Sequence, residues 1–392
     1  MSVAGVVCEY NPFHNGHAHH LKATRAAGAR CIVAVMSGCF VQRGTGAFCD
    51  PWARARAAVR CGADLVLELP VPFACGSAGV FARGAVELLS AFGADTLSFG
   101  AETADPALLQ AAAAAGEDAA VQAEVKRLHA LGVGYPSAVQ QAVEARFGSR
   151  IAAVLAQPNN TLAVEYIKAA KNANAAFSFL PVQRVGAAHD EHAAGPRFAS
   201  AMALRQMQTE DELRPFLPRA AFEEIFSETT LFFDEAAFET AVFCALRTMT
   251  LPEMARCVAD ESGLAARVFD ASRTQTDLNA LYAAAQTKSL TKAKVRRAVL
   301  HCFLKFDKAL QTQSPPYLRV LAANERGLEA LGAAKPALPV LTKHREAASL
   351  PEEAQAFYAL QCRCADLYAA LCRPRGAAGL AQTHAMAVLQ TT

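Results

Sequence analysis

No stretch of the sequence is apolar for long enough to cross a bilayer. The first apolar run, VAGVV at residues 3 to 7, is soon interrupted by Glu9, and no basic segment precedes it. A membrane span needs about 20 predominantly apolar residues and a secretory leader needs a cationic start, so a cytoplasmic protein with no membrane partner is expected. Three nucleotide and metal signatures are also missing: GxxxxGK[ST], GxGxxG after the first strand, and HExxH. CGSAG at 75 to 79 lacks the leading glycine of a nucleophile elbow. The 12 cysteines lack a disulfide pattern, since they are scattered through helix-like segments such as AVFCALRTM. Only Cys362 and Cys364 lie close together, with no second pair at ligand spacing. Reduced, mostly buried thiols are therefore expected, and no metal site. No repeats, long linkers or low-complexity segments occur beyond alanine richness, and no protein partner is inferred.

What is present describes a folded soluble chain. Hydrophobic residues make up 53% and charged residues 19% of 392 positions, enough for two ordinary domains or one large one. The net charge of +2 is uninformative, but its distribution is not. Between 281 and 320, Lys288, Lys292, Lys294, Arg296, Arg297, Lys305, Lys308 and Arg319 face Asp307 alone, a net +7. Such a concentration reads as a footprint for a polyanion, with a solvated helix face as the ordinary alternative.

The first hundred residues alternate β-branched runs with alanine-rich segments. VAGVV (3 to 7), CIVAVMS (31 to 37), DLVLEL (64 to 69) and DTLSF (95 to 99) read as buried parallel strands, and 16 to 28, 51 to 62 and 77 to 93 as the helices between them. The pattern predicts a doubly wound α/β sheet, whose ligands bind at the carboxyl ends of the strands. The loops there, EYNPFHNGH, MSGCFVQRG, ELPVPF and FGAE, are expected to converge on one site. A helical stretch from 105 to 175 and a further strand, FSFLPVQRV (177 to 185), follow. From about 210 helical spacing dominates: Phe238, Val242, Phe243, Leu246 and Met249 recur behind Asp234 as N-cap, and only YLRVLA suggests another strand. Two domains are expected, 1–210 α/β and 211–392 mainly helical.

NPFHNGH, residues 11 to 17, follows the first strand and opens the first helix. His14 in the loop and His17 in the first helical turn can point to one side with free backbone N–H groups between them. Gly16 bares the main chain there, and a helix N-terminus favours anions. The natural guest is a polyphosphate, with the imidazoles donating hydrogen bonds as charge shifts toward a leaving pyrophosphate. His14, His17, His19 and His20 could instead form a metal-binding tract, but no carboxylate or thiol stands at a recognised interval.

The order strand, NPFHNGH, helix resembles the HxGH nucleotidyltransferase superfamily, and within it the bacterial tRNA(Met) cytidine acetate ligases. The stretches that carry the resemblance are VCEYNPFHNGH, AVMSGCFVQRG, WARARAAVRCGADLVLELP, FGAE, QPNNTLAVEYIKA, QRVGAAHD, FASAMALR, TKSLTKAKVRRAVL and PPYLRVLAANERG, from residue 7 to 327. The resemblance implies a ligase that activates acetate with ATP as acetyl-adenylate and acetylates the exocyclic amine of the wobble cytidine in elongator tRNA(Met). It implies an ATP site from Val7 through Cys8, Glu9, Tyr10, Asn11, Pro12, Phe13, His14, Asn15, Gly16, His17, Ala18 and His19 to His20, with Gly100, Asn159 and Arg184. His14 and His17 would be catalytic. Ser200 and Arg205 would be phosphate contacts; Ser37, Gln42 and Arg43 would orient acetate or the α-phosphate; Lys288, Lys292, Lys294, Arg296 and Arg297 would hold the tRNA, and Mg²⁺ would bridge phosphates. Arg184 directly follows an apolar strand, where an unpaired charge is costly, which favours a ligand role.

The sequence departs from that family pattern at several points. Thr45 and Gly46 stand where Glu-Pro is common, Pro51 where a lysine is, Ala163 for the glycine of NNxLG, Ala188 for a tyrosine before HD, and Met202 for a hydroxyl residue. Pro51 and Ala188 are expected to border the substrate pocket and so to affect acyl specificity or rate. Two rivals share the histidine pair: a small-molecule adenylyltransferase, which has no need of the basic segment, and a non-catalytic RNA-binding relative with a degenerate nucleotide site.

Overall fold

A computed structural model describes residues 2–185, 198–207, 209–259 and 262–390. The expected strands form at β1 (Val3–Cys8), β2 (Cys31–Ser37), β5 (Leu65–Leu69), β6 (Thr96–Ala101) and β7 (Ser178–Gln183), with a small hairpin, β3 (Phe40–Val41) and β4 (Thr45–Gly46), between β2 and β5. β2 and β5 are buried at every position, as strands covered on both faces must be. Their order is β5-β2-β1-β6-β7, all parallel, so the winding reverses between β1 and β6. A crevice opens outside the carboxyl ends at such a switch point. Helix α1 (Asn15–Ala26) and helix α2 (Pro51–Arg60) are the first two crossovers, each close to its expected span.

The sheet crosses the boundary expected at residue 210. After the two-residue β8 (Phe232–Phe233), the strand foreseen near YLRVLA is β9 (Leu318–Ala323), which pairs antiparallel with β5. β10 (Val340–Leu341) and β12 (Ala387–Val388) extend it, while β11 (Cys372–Arg373) pairs with β8. Glu68 and Arg319 face each other in the β5–β9 register and join in a buried ion pair at 3.1 Å. Gln361 Nε2 donates to Glu68 at 2.6 Å, and Arg319 donates to the carbonyl of Ala381 at 2.8 Å. Arg319 therefore leaves the basic footprint, because Glu68 answers its charge inside the sheet.

Elsewhere the C-terminal half is helical. Asp234 Oδ1 accepts from Ala236 N–H at 2.9 Å, and Phe238, Val242, Phe243, Leu246 and Met249 are all buried, as their spacing predicted. Residues 106 to 155 form four helices around a separate small core that includes Val121, Val125, Ala142 and Val143. All 12 cysteines are free thiols, nine of them buried.

Candidate active site

His14 is the N-cap of α1, and the cap is reciprocal. His14 Nδ1 accepts from Gly16 N–H at 3.0 Å, while His17 Nδ1 accepts from His14 N–H at 3.2 Å. Two imidazoles thus occupy the places that Ser and Glu fill in an ordinary capping box. The rings stack with centroids 3.7 Å apart, and Tyr10 and Phe13 close on His17 at 4.8 and 5.5 Å. Because each Nδ1 is an acceptor, each neutral ring carries its proton on Nε2. Gly16 is needed for the rings: a Cβ there would lie 2.9 Å from His14 Cε1.

Burial pushes His14 down to about 4, helped by the charges of Arg184 and Arg205. Burial also holds His17 well below its ordinary value, followed by the effects of His14, His20 and Arg184. The pair is therefore neutral at pH 7, two fixed donors needing no proton uptake. The same depression has a consequence for stability. His14, His20 and His301 all sit at about 4 when folded against 6.5 as the ordinary value. Between those limits the unfolded chain takes up protons that the folded chain refuses. Stability is thus complete above pH 6.5 and declines as pH falls toward 4, which urea midpoints at pH 7.5, 6 and 5 would show; a midpoint flat across that range would contradict it.

The pair lines a cavity of about 460 Å³, within the range of small-molecule sites. Its wall includes Val7, Cys8, Tyr10, His14, Gly16, His17, His19, His20, Gly100, Asn159, Arg184 and Ser200 of the expected residues. Arg184 is exposed rather than buried, so no burial cost favours a ligand role for it. Its guanidinium nevertheless bears on all three neighbouring imidazoles and has no ion pair among the described residues. Gly100 leaves open space: a methyl added there would have Arg184 Cγ as its nearest neighbour, at 3.6 Å. Asn159 Nδ2 is held by Glu102, whose other oxygen accepts from Asn160 N–H at 2.9 Å. Ser200 caps the short helix after it, its Oγ accepting from Ala203 N–H at 3.2 Å.

Other expected residues are placed away from this wall. Glu9 accepts from Gln42 N–H at 2.9 Å, and Asn11 Oδ1 accepts from Phe48 N–H at 2.6 Å. Pro12 and Phe13 are buried, Asn15 Nδ2 donates to the Pro215 carbonyl at 3.2 Å, and Ala18 faces a different groove. Arg205 donates to the Asn11 carbonyl at 2.6 Å, shaping the histidine loop from behind. Among the described residues the loops after β1, β6 and β7 line this cavity, and no residue of those after β2 and β5 does. Ser37 is buried, its Oγ without a partner. Arg43 is exposed, 3.8 Å from Met202 Sδ. Pro51 is the first residue of α2, where no N–H is needed, and packs in the core instead of bordering the cavity. Gly46 lies under Phe233, Thr45 and Ala163 are buried, and Ala188 falls outside the described residues. Glu102, Tyr166 and Phe198 line the cavity without having been singled out; Glu102 ends the FGAE loop, a signal that was available.

The basic segment splits by exposure. Lys288 and Lys292 are exposed, and Lys292 Nζ lies 3.5 Å from Asn279 Oδ1. Lys294, Arg296 and Arg297 are half-buried on the helix Lys292–Leu304, with Arg296 5.7 Å from the Tyr282 ring. That helix abuts the β3–β4 hairpin at Gly44 (φ +80°), where a Cβ would meet the Arg296 carbonyl carbon at 2.7 Å.

A reversed-winding α/β sheet with paired histidines at its first helix defines a nucleotidyltransferase architecture, and the chain belongs to the HIGH Nucleotidyl Transferase family, whose model matches residues 1–382. Within that class it falls among the tRNA(Met) cytidine acetate ligases. It is 38% identical over 359 residues to the one from Syntrophotalea carbinolica, covering 87% of this chain and 85% of the relative, and 34% identical over 353 residues to that of Limosilactobacillus reuteri, covering 88% and 90%. A crystal structure of Thermotoga maritima TmcAL bound with alpha-thio ATP superposes with a TM-score of 0.90 at 29% identity, covering 100% of both chains.

Proposed function

We propose that this protein activates acetate with ATP as acetyl-adenylate and transfers the acetyl group to the exocyclic amine of the wobble cytidine of elongator tRNA(Met), in the cytoplasm. The observation that carries the reading is the stacked, neutral His14–His17 pair capping α1 at the switch-point cavity. In the first step an acetate oxygen bonds to the α-phosphorus and pyrophosphate leaves. His14 and His17, each with a proton on Nε2, donate to phosphate oxygens as charge builds there, and the α1 N-terminus adds its dipole. Arg184 supplies the permanent cation on the open side. In the second step the cytidine amine bonds to the acetyl carbon, AMP departs, and the amine gives up a proton. A base in an anticodon loop is already unpaired, so no duplex has to be opened.

The cavity lining does not fit a protein-held Mg²⁺. Among the described residues Glu102 is its one carboxylate, and both of its oxygens accept hydrogen bonds from Asn159 and Asn160. The ion belongs with the triphosphate. The exposed Lys288 and Lys292 lead tRNA phosphates toward the hairpin that the basic helix touches. The test is incubation with ATP, magnesium, labelled acetate and elongator tRNA(Met), followed by nucleoside analysis. Acetylcytidine at the anticodon is expected, with the salt dependence of tRNA binding falling by about 1 in slope for each of Lys288→Ala and Lys292→Ala. Pyrophosphate exchange into ATP that does not depend on acetate would instead identify a small-molecule adenylyltransferase.

A further inference from the structure

One turn beyond His17, the side chain of His20 is held from behind by two buried hydroxyls. His20 Nε2 lies 2.9 Å from Ser98 Oγ on β6, Ser98 Oγ lies 2.7 Å from Thr24 Oγ1, and Thr24 Oγ1 lies 2.9 Å from the carbonyl oxygen of His20 itself. Both Ser98 and Thr24 are fully buried. Three short contacts share two hydroxyl protons and one ring proton, and this count has one solution. A carbonyl only accepts, so the Thr24 proton goes to His20 O. Thr24 then accepts from Ser98, whose proton is thereby used, and Ser98 accepts from Nε2–H of the ring. The opposite arrangement would set Thr24 and the carbonyl oxygen lone pair to lone pair at 2.9 Å. Burial pushes His20 down to about 4, so the ring is neutral at pH 7 and holds a single proton.

We propose that the Thr24–Ser98 relay fixes His20 with its proton on Nε2 and so presents Nδ1, from a ring on the cavity wall, as an acceptor for a ribose hydroxyl of the bound nucleotide. The inference rests on the nucleotide-binding part of the function proposed above. It assigns His20 a role opposite to that of its neighbours. His14 and His17 spend Nδ1 on the backbone and offer Nε2–H, which suits phosphate; His20 spends Nε2–H on Ser98 and offers a lone pair, which suits a hydroxyl and repels phosphate oxygen. Its place agrees with that division. Three residues of helix advance about 4.5 Å, roughly the step from a phosphate to the sugar that carries it. The acceptor also lies beside β6, where Phe99 and Gly100 complete the same wall. Among the described residues no hydrogen bond engages Nδ1, and the atom is not among the fully buried side-chain atoms left without a partner, so it keeps some accessible surface.

In this scheme Thr24 and Ser98 are positioning residues, acting through the ring. Thr24→Val keeps shape and removes the acceptor for Ser98, freeing its proton to turn toward Nε2 and drive the ring proton to Nδ1. The experiment is nitrogen NMR of the histidine-labelled full-length protein without nucleotide, with Kd measured for ATP, 2′-deoxy-ATP, 3′-deoxy-ATP and purine riboside triphosphate. The parent is expected to show a protonated Nε2 and bare Nδ1 at His20, reversed in Thr24→Val. ATP should bind about tenfold more weakly to the variant, as loss of one hydrogen bond of about 1.4 kcal/mol gives, while one of the two deoxy analogues binds parent and variant alike. His20→Asn, which retains an acceptor near the Nδ1 position, should keep more of the affinity than His20→Phe. A parent ring protonated on Nδ1, or a preference in which both deoxy analogues respond to Thr24→Val as fully as ATP does, overturns the proposal. So does a loss that follows the purine amine, with purine riboside triphosphate the indifferent ligand. Because these readouts involve neither acetate nor tRNA, a protein that passes them yet forms no acetylcytidine refutes the proposed ligase activity and leaves the His20 assignment standing.

Discussion

His14→Ala and His17→Ala are each expected to slow acetate-dependent pyrophosphate exchange by about 10²- to 10³-fold, the usual loss when one preorganised donor to a developing anion is removed. The difficulty with such variants is that both rings also build the helix start. His14 accepts from Gly16 N–H and His17 from His14 N–H, so alanine at either place removes a cap worth about 1 kcal/mol along with a phosphate donor. His14→Asn separates the two effects. Asparagine is among the best N-cap residues, and its short amide can take over the Gly16 N–H while failing to reach the place of Nε2. The expected pattern is stability restored to the parent level in His14→Asn with exchange still depressed. Were His14→Ala to exchange as fast as the parent, the electrostatic role of the pair would be wrong. Exchange recovered in step with stability would assign His14 to structure alone.

The pH dependence of that exchange follows from the same geometry. Since the rings act as neutral donors, His14 pushed down to about 4 and His17 held well below its ordinary value by burial, their titration does not shape the rate between pH 6 and 8. Had His14 been a cation at work, its protonation would have limited the rate on the alkaline side of its ordinary value of 6.5.

How much of this was legible in the sequence follows from the range of the interactions involved. The parallel strands and the HxGH turn were readable because their causes are local: β-branched runs for strands covered on both faces, and an Asn-Pro turn leading to a helix start. Gly16 was readable as a position that must lack a Cβ, and the protein atoms that would crowd one belong to the His14 ring. The FGAE loop and the Asn159 turn were visible separately, but the hydrogen bonds from Asn159 and Asn160 to Glu102, across 57 and 58 positions, were not. Long-range pairing hid more. YLRVLA reads as a strand, yet nothing in its pattern says that it lies antiparallel against β5, or that Arg319 is paired with Glu68, 251 positions away. For the same reason a count of +7 overstated the surface charge. The β2 loop shows the same limit: MSGCFVQRG reads as a ligand loop because it follows a strand, but nothing in it says that its Ser37 carbonyl and that of Gly38 accept from Arg54.

Arg54 is where the largest loss of stability is expected. It is completely buried on α2 and forms no ion pair among the described residues; its donors go to main-chain carbonyls. Nε donates to Cys49 O at 2.9 Å, Nη1 to Glu9 O at 2.7 Å and Ser37 O at 3.0 Å, and Nη2 to Gly38 O. These carbonyls stand at or just beyond the ends of β1 and β2 and at the entry to α2. A planar fork with five donors satisfies all four at once, which an ammonium on a flexible stem does not. Arg54→Met preserves much of the volume and leaves four buried acceptors unpaired, so a loss of about 3–5 kcal/mol is expected, a large part of the roughly 5–15 kcal/mol that holds a domain folded. Arg54→Lys should recover part of it and no more. Urea unfolding checks this, with the midpoint lowered and the slope unchanged. Because Glu9 O is one of the four, the strand end that leads into Tyr10 and the histidine turn loosens first. Nucleotide affinity should therefore fall in Arg54→Lys even where that variant remains folded, a change that a purely global loss of stability does not produce. A Met variant within about 1 kcal/mol of the parent, the net worth of a single hydrogen bond, would mean that water or neighbouring N–H groups satisfy these carbonyls, and that Arg54 does not hold the strand ends in place.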